Sequence, residues 1–233
     1  MSNSARSGWL RLLVVVALAA SSTAVAAVSL VAAAQPSGQP EGRTWVGSWS
    51  TTPLVGSTSF ADRTLREIVH TSLGGDEIRI RLTNAFGTEG IAIDDVTVGL
   101  RASGATLVAG TEHAVTFAGA HGVTLPAGAE VFSDPVQLAV GDEQDLAISL
   151  HVPGPTGPAT RHSTALTTSY SAAGDHAADA GSAAFTSTSS SWYLLDGVDV
   201  LAAPGTEAVV ALGDSITDGT NSTVDAEIGR AHV

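Results

Sequence analysis

The chain has 233 residues, 44% of them hydrophobic and only 14% charged, a balance that supports a buried core and excludes wholesale disorder. Its formal net charge is −13 and it contains no cysteine, which excludes disulfides, thiolate metal sites and a cysteine nucleophile. So acidic a body repels phosphate backbones, so nucleic acid is excluded as a partner and the surplus acid reads as a solubility device.

In chain order, Arg6 and Arg11 precede the apolar run Leu12–Ala20, and an alanine-rich stretch continues to Ala34. Ala32-Ala33-Ala34 offers the small residues a signal peptidase requires, followed by the polar Gln35-Pro36-Ser37-Gly38. Residues 1–34 are therefore expected to be a cleaved export signal, with Ala24-Val25-Ala26 as a second cleavage point. Leu12–Ala34 is long enough for an uncleaved anchor, but Ser21, Ser22, Thr23 and Ser29 dilute its hydrophobicity. The expectation is a secreted chain without a stable membrane partner after cleavage. Residues 35–204 are numerous enough to fold without disulfides.

From Trp45 to Leu201 the dominant period is two. Glu77–Thr83 alternates Ile78, Ile80 and Leu82 with Arg79 and Arg81, the pattern of a strand with one wet face. Leu73-Gly74-Gly75-Asp76 reads as a turn joining it to a strand at Leu65–Thr71. Further strands are expected at Ile91–Leu100, His113–Phe117, Val136–Val140, Leu146–Val152, Ala165–Tyr170 and Trp192–Leu201. Gly174–Ser191, rich in Ala, Ser, Gly and Thr, reads as a long surface loop. Many short strands between turn clusters predict an N-terminal β-sandwich of jelly-roll kind over residues 35–204.

The pattern then changes. After Ala203-Pro204-Gly205 comes Glu207–Leu212, apolar without alternation from Ala208, as in a strand covered on both faces of a parallel sheet. It ends in Gly213-Asp214-Ser215-Ile216-Thr217-Asp218-Gly219. A serine at the end of such a strand and the start of a helix sits where α/β folds place ligands. Gly213 lets the chain turn and a substrate approach the backbone. The Ser215 amide can then face a developing oxyanion, aided by the helix N-terminal field. A serine capping a helix explains less of the string, and the spacing is not the G-x-S-x-G elbow. Asp214 and Asp218 read as turn and hydrogen-bonding residues.

Val209–Gly219 resembles the first sequence block of the SGNH (GDSL) hydrolases. Trp45-Val46-Gly47-Ser48-Trp49, Thr160-Arg161-His162 and Thr168-Ser169-Tyr170 resemble landmarks of a secreted actinobacterial branch of that family. The resemblance implies an α/β/α hydrolase domain whose first βα unit begins at residues 205–226. It further implies that Ser215 is the nucleophile and an oxyanion-hole N–H donor, with Gly213 and Asp214 supporting the motif. The substrate it implies is an acyl ester of a carbohydrate or a small lipid-like alcohol, and it implies no metal or organic cofactor. The oxyanion-hole glycine and asparagine and the Asp-x-x-His pair of the family lie downstream of the serine and find no match in the 18 residues after Ser215. The chain is thus expected to be an inactive fragment whose native frame stops near Ala226. Residues 227–233 are expected to be foreign, since they can be encoded by a string that resembles a sequencing adaptor.

The rival reading is a carbohydrate-binding β-sandwich without activity, with Trp45, Trp49 and Trp192 as a stacking platform or, alternatively, as core. His162 and Tyr170, with Thr168 and Ser169, suggest a polar cluster near the domain interface, in which a hydrogen-bonded structural histidine is expected. His70, His113, His121, His151 and His176 have no metal-ligand spacing. Asp94-Asp95, Asp142-Glu143 and Asp196/Asp199 form no EF-hand pattern.

Overall fold

The computed structural model describes residues 42–226, so the expected export signal and the 227–233 tail lie outside the described residues. In chain order the strands are β1 (Thr44–Ser50), β2 (Arg63–Thr71), β3 (Ile78–Thr83), β4 (Ile91–Ile93), β5 (Asp95–Ser103), β6 (Thr106–Leu107), β7 (His113–Ala114) and β8 (Val123–Leu125). They continue as β9 (Glu130–Phe132), β10 (Gln144–Val152), β11 (Arg161–Ser163), β12 (Ser169–Ala173), β13 (Ser187–Ser189), β14 (Ser191–Tyr193) and β15 (Leu195–Ala202). The chain is mainly β, as its alternation implies, and no helix occurs among the described residues.

One sheet runs β1-β15-β3-β9; a second runs β13-β12-β2-β10-β5-β6, with β7 also on β5. The main apolar core lies between them. It takes Val46 and Trp49 from β1, Leu65 and Val69 from β2, and Ile78, Ile80 and Leu82 from β3. Leu146, Ile148, Leu150 and Val152 come from β10, and Val198 and Val200 from β15. On β3 the alternation works as expected: the three aliphatics are fully buried, while Arg79 and Arg81 stay on the wetter face. There Arg79 donates to Asp199 at 2.7 Å and Arg81 to Asp196 at 2.9 Å. Arg79 also lies 4.5 Å from the centre of the Phe132 ring, so this face is laced by ion pairs and cation–π contacts.

Several expected elements change where the backbone demands it. Ile91–Leu100 is two strands, β4 on β8 and β5 on β10. They break at Asp94, whose carboxylate meets His151 Nδ1 at 2.7 Å. Trp192–Leu201 breaks at Leu194, φ +58°, a left-handed residue that cannot continue a pleated strand. Ala165–Tyr170 begins as a strand only at Ser169, because Thr164 and Leu166 have φ +66° and +54°. Val136–Val140 contributes isolated bridges rather than a ladder, Val136 to Ile78 and Val140 to Gly75. Leu73–Asp76 joins β2 to β3, but the two lie in different sheets, so the turn is a crossing and not a hairpin.

The Gly174–Ser191 stretch is more than a surface loop. Ala177 and Phe185 are buried, and the loop covers the outer face of β2 where Arg66 lies fully buried. Arg66 donates to Ser149 Oγ at 2.8 Å, to the Ala105 carbonyl at 2.7 Å and to the Asp179 carbonyl at 2.6 Å. Burial pulls this guanidinium down to about 10, partly offset by Asp179 and Glu112. The loop's carbonyls are there because a buried cation must have acceptors.

The largest correction concerns residues 205–226. Ala208–Leu212 is not a strand, and residues 214–222 form successive turns instead of a helix. Val209 is 79% and Leu212 97% exposed. A strand exists only through a ladder with a neighbour, and no neighbour lies beside this run among the described residues. A helix likewise needs a face to bury, because its nucleus is costly.

Candidate serine site

The Gly-Asp-Ser segment folds into a tight set of turns. A Cβ on Gly213 would run into the side chain of Thr217, so the close approach requires glycine. Asp214 Oδ1 accepts the Ile216 N–H at 3.0 Å, and the Asp214 carbonyl accepts the Asp218 N–H at 3.0 Å. The Ser215 carbonyl accepts the Thr220 N–H at 2.8 Å. Gly219, buried and with φ +80°, reverses the chain. Ser215 and Asp218 are therefore joined through a few backbone hydrogen bonds. Ser215 itself is exposed. The helix field expected at its amide has no counterpart among the described residues, since turns replace the helix.

Ser215 lines an open-sided cleft of about 390 Å³. One wall is Val210–Ser215 with Thr217 and Asp218; the opposite wall is Ser50, Thr51 and Thr52 at the end of β1, and His162 from β11. The turns thus face the β-body across a space lined by hydroxyls, two carboxylates, an imidazole and a few apolar side chains.

Three contacts hold the His162 ring. β11 pairs with β14, setting His162 opposite Trp192, and the two rings lie 5.7 Å apart, tilted by 36°. Nδ1 lies 2.9 Å from the Thr52 carbonyl. A carbonyl only accepts, so Nδ1 carries a hydrogen. Nε2 is buried and has no hydrogen-bond partner. It lies 3.1 Å from Asp218 Oδ1, close enough for a charge contact but out of line for a hydrogen bond.

A second tie lies at the other end of the segment. Asp225 accepts from the Thr168 N–H at 2.7 Å, the Thr168 hydroxyl at 2.7 Å and the Thr167 hydroxyl at 3.2 Å. Its own N–H donates to the Leu166 carbonyl at 2.9 Å. Partial burial pushes the Asp225 carboxyl upward, but the donors from Thr168 and Thr167 outweigh it and hold the group below the usual aspartate range.

Beneath the cleft wall, the indole N–H of Trp192 donates to the Ile68 carbonyl at 2.7 Å, and Trp49 meets Trp192 edge to face at 4.9 Å. Both tryptophans are core, which removes two members of the stacking platform. Next to Ile68 on β2, Glu67 is buried on the core face. Its Oε1 accepts the Tyr193 N–H at 3.0 Å, while Oε2 has no hydrogen bond. Burial pushes its carboxyl up to about 8, with Ser169 and Tyr193 pulling the other way.

Of the residues singled out in the sequence, Gly213, Asp214, Ser215, Asp218 and His162 share the cleft. Tyr170 does not join them; it packs on the outer face of the larger sheet with Ile68 and Ala172. The Asp225 tie, Glu67 and Arg66 had no recognisable signal. Among the described residues no group of three His, Asp or Glu side chains is placed to hold a metal ion. No protein-family model matches the chain, and no curated protein matches it in sequence.

Proposed function

We propose that the chain is the exported N-terminal part of a serine esterase of the SGNH (GDSL) type, acting on carboxylic esters of carbohydrates or small lipid-like alcohols. One observation carries this reading: the Ser215 hydroxyl is presented to solvent on a tight Gly-Asp-Ser turn that lines an open cleft. In the reaction Ser215 Oγ attacks the ester carbonyl, giving up its proton as the carbon–oxygen bond to the alcohol breaks. Water then hydrolyses the acyl-serine, releasing the acid and restoring the hydroxyl. Serine is a weak nucleophile until a base takes its proton. In this reading the base is the histidine of the Asp-x-x-His pair that the resemblance implies, for which the described residues offer no match. Open on both faces, Val209–Leu212 fits a strand whose sheet lies beyond the described residues. In the same reading the body is jelly-roll-like and residues 1–34 direct export.

The rival, a carbohydrate-binding module, loses support from the burial of Trp49 and Trp192. The test uses the gene product extended past Ala226. It is expected to hydrolyse p-nitrophenyl acetate and to be labelled at Ser215 by a fluorophosphonate, with Ser215→Ala lowering the rate by roughly three orders of magnitude or more. Full activity in the alanine variant would reject the assignment.

A further inference from the structure

The β-body does more than stand beside the serine turns. We infer that His162 is a positioning residue of the Ser215 site, acting through Asp218; this inference rests on the reading of Ser215 as the nucleophile.

The argument begins with a polar atom that the fold leaves unsatisfied. His162 Nε2 is buried without a hydrogen bond, an arrangement that is costly when nothing compensates it. The ring cannot turn away to find a partner: Nδ1 is spent on the Thr52 carbonyl, β11 is paired to β14, and the ring lies against Trp192. Among the described residues the carboxylate that reaches Nε2 is that of Asp218, 3.1 Å away.

Asp218 in turn belongs to the same hydrogen-bonded turns as the nucleophile. Its N–H is bound to the Asp214 carbonyl, and the next hydrogen bonds of the same turn join Gly219 to Ile216 and Thr220 to Ser215. Fixing Asp218 against the body therefore fixes where Ser215 stands in the cleft. Because Nδ1 keeps its hydrogen for Thr52, the contact at Nε2 is attractive when Nε2 carries a hydrogen as well, and the geometry makes it a charge contact and not a hydrogen bond. A donor at the Nε2 position is what the contact needs, and this separates it from simple ring packing.

The experiment compares His162→Leu, which fills the space without a donor, with His162→Gln, whose amide N–H reaches the Nε2 position, and with Asp218→Ala, which leaves the body untouched. In the 233-residue chain, amide exchange at Gly219 and Thr220 is expected to accelerate about tenfold in His162→Leu and Asp218→Ala, the size of one lost charge-assisted contact. In His162→Gln it is expected to return towards wild type. In the extended gene product, kcat for p-nitrophenyl acetate is expected to fall about tenfold in the same two variants with KM held, and to recover with Gln. Unchanged exchange and kcat in Asp218→Ala would overturn the inference, and so would a Gln variant as impaired as Leu. If exchange responds as expected but the wild-type extended protein neither hydrolyses the ester nor labels at Ser215, the contact between body and turn stands and the nucleophile reading falls.

Discussion

Ile148 in β10 and Leu212 before the serine turn have side chains of equal size, and both sit in apolar runs that invite assignment to strands. Ile148 is 0% and Leu212 97% exposed. Hydrophobicity does not separate them; neighbours do. Ile148 is opposite Glu67 of β2 on one side and Val98 of β5 on the other, so its backbone and side chain are both satisfied. No strand flanks Leu212 among the described residues. A run of apolar residues states a demand for burial, and only the rest of the chain can meet it.

The sharpest way to break this comparison is to truncate both side chains. Ile148→Ala removes packing that nothing nearby can refill, and is expected to cost about 2–5 kcal/mol in the denaturant unfolding of the chain. Leu212→Ala is expected to change that stability by less than about 0.5 kcal/mol. Equal losses would mean that Leu212 is buried in solution and that the two regions form one cooperative core.

The same contrast explains what could be read from the residues alone. In Ile78-Arg79-Ile80-Arg81-Leu82 the period of two shows which side is inside, and it was legible down to the individual residue. Leu65-Arg66-Glu67-Ile68-Val69-His70 conveys a strand but not that both faces are covered, because the cover over Arg66 is the Gly174–Ser191 loop, more than a hundred residues away. The breaks at Leu194 and at Thr164–Leu166 come from positive φ at residues whose types do not favour it, so no composition rule marks them. At the site, Gly213, Asp214 and Ser215 were legible as a motif because their chemistry is local. His162 meeting Asp218 is a tertiary event between β11 and a turn 56 positions later, and Asp225 between Thr167 and Thr168 is another.

Carboxylates extend the comparison to charge. In the body, burial raises the Glu67 carboxyl from an ordinary 4.5 to about 8, so the folded state holds this proton more tightly than the unfolded chain does. The stability this contributes is complete below about 4.5 and drains away as pH rises through about 8. Glu67→Gln removes the titration while keeping an uncharged amide in place. The variant is expected to be more stable than wild type by about 4–5 kcal/mol at pH 9 and to lie within about 1 kcal/mol of it at pH 5. Denaturant midpoints at the two pH values measure this, and a wild-type stability that does not fall between them would remove Glu67 from the account.

Asp225 has the opposite sign and the smallest effect. Its donors hold the carboxyl below the usual range, so its contribution is present above an unfolded value of about 4 and is lost as pH falls through the lower folded value. The two carboxyls therefore respond in different windows: a fall in pH from about 8 to about 4.5 steadies the body through Glu67, and a further fall protonates Asp225 and releases the serine segment from Thr167 and Thr168. Asp225→Asn keeps one carbonyl acceptor for the Thr168 N–H but cannot receive both hydroxyls, so the loss is expected to be about 1 kcal/mol, confined to this tie. Global unfolding should hardly move, while amide protection at Thr168 and Asp225 falls. Lowering the pH from 6 to 3 should reduce that protection in wild type and leave the variant unaffected. A variant that keeps the acid response would show that another group, and not this carboxylate, fastens the segment to the body.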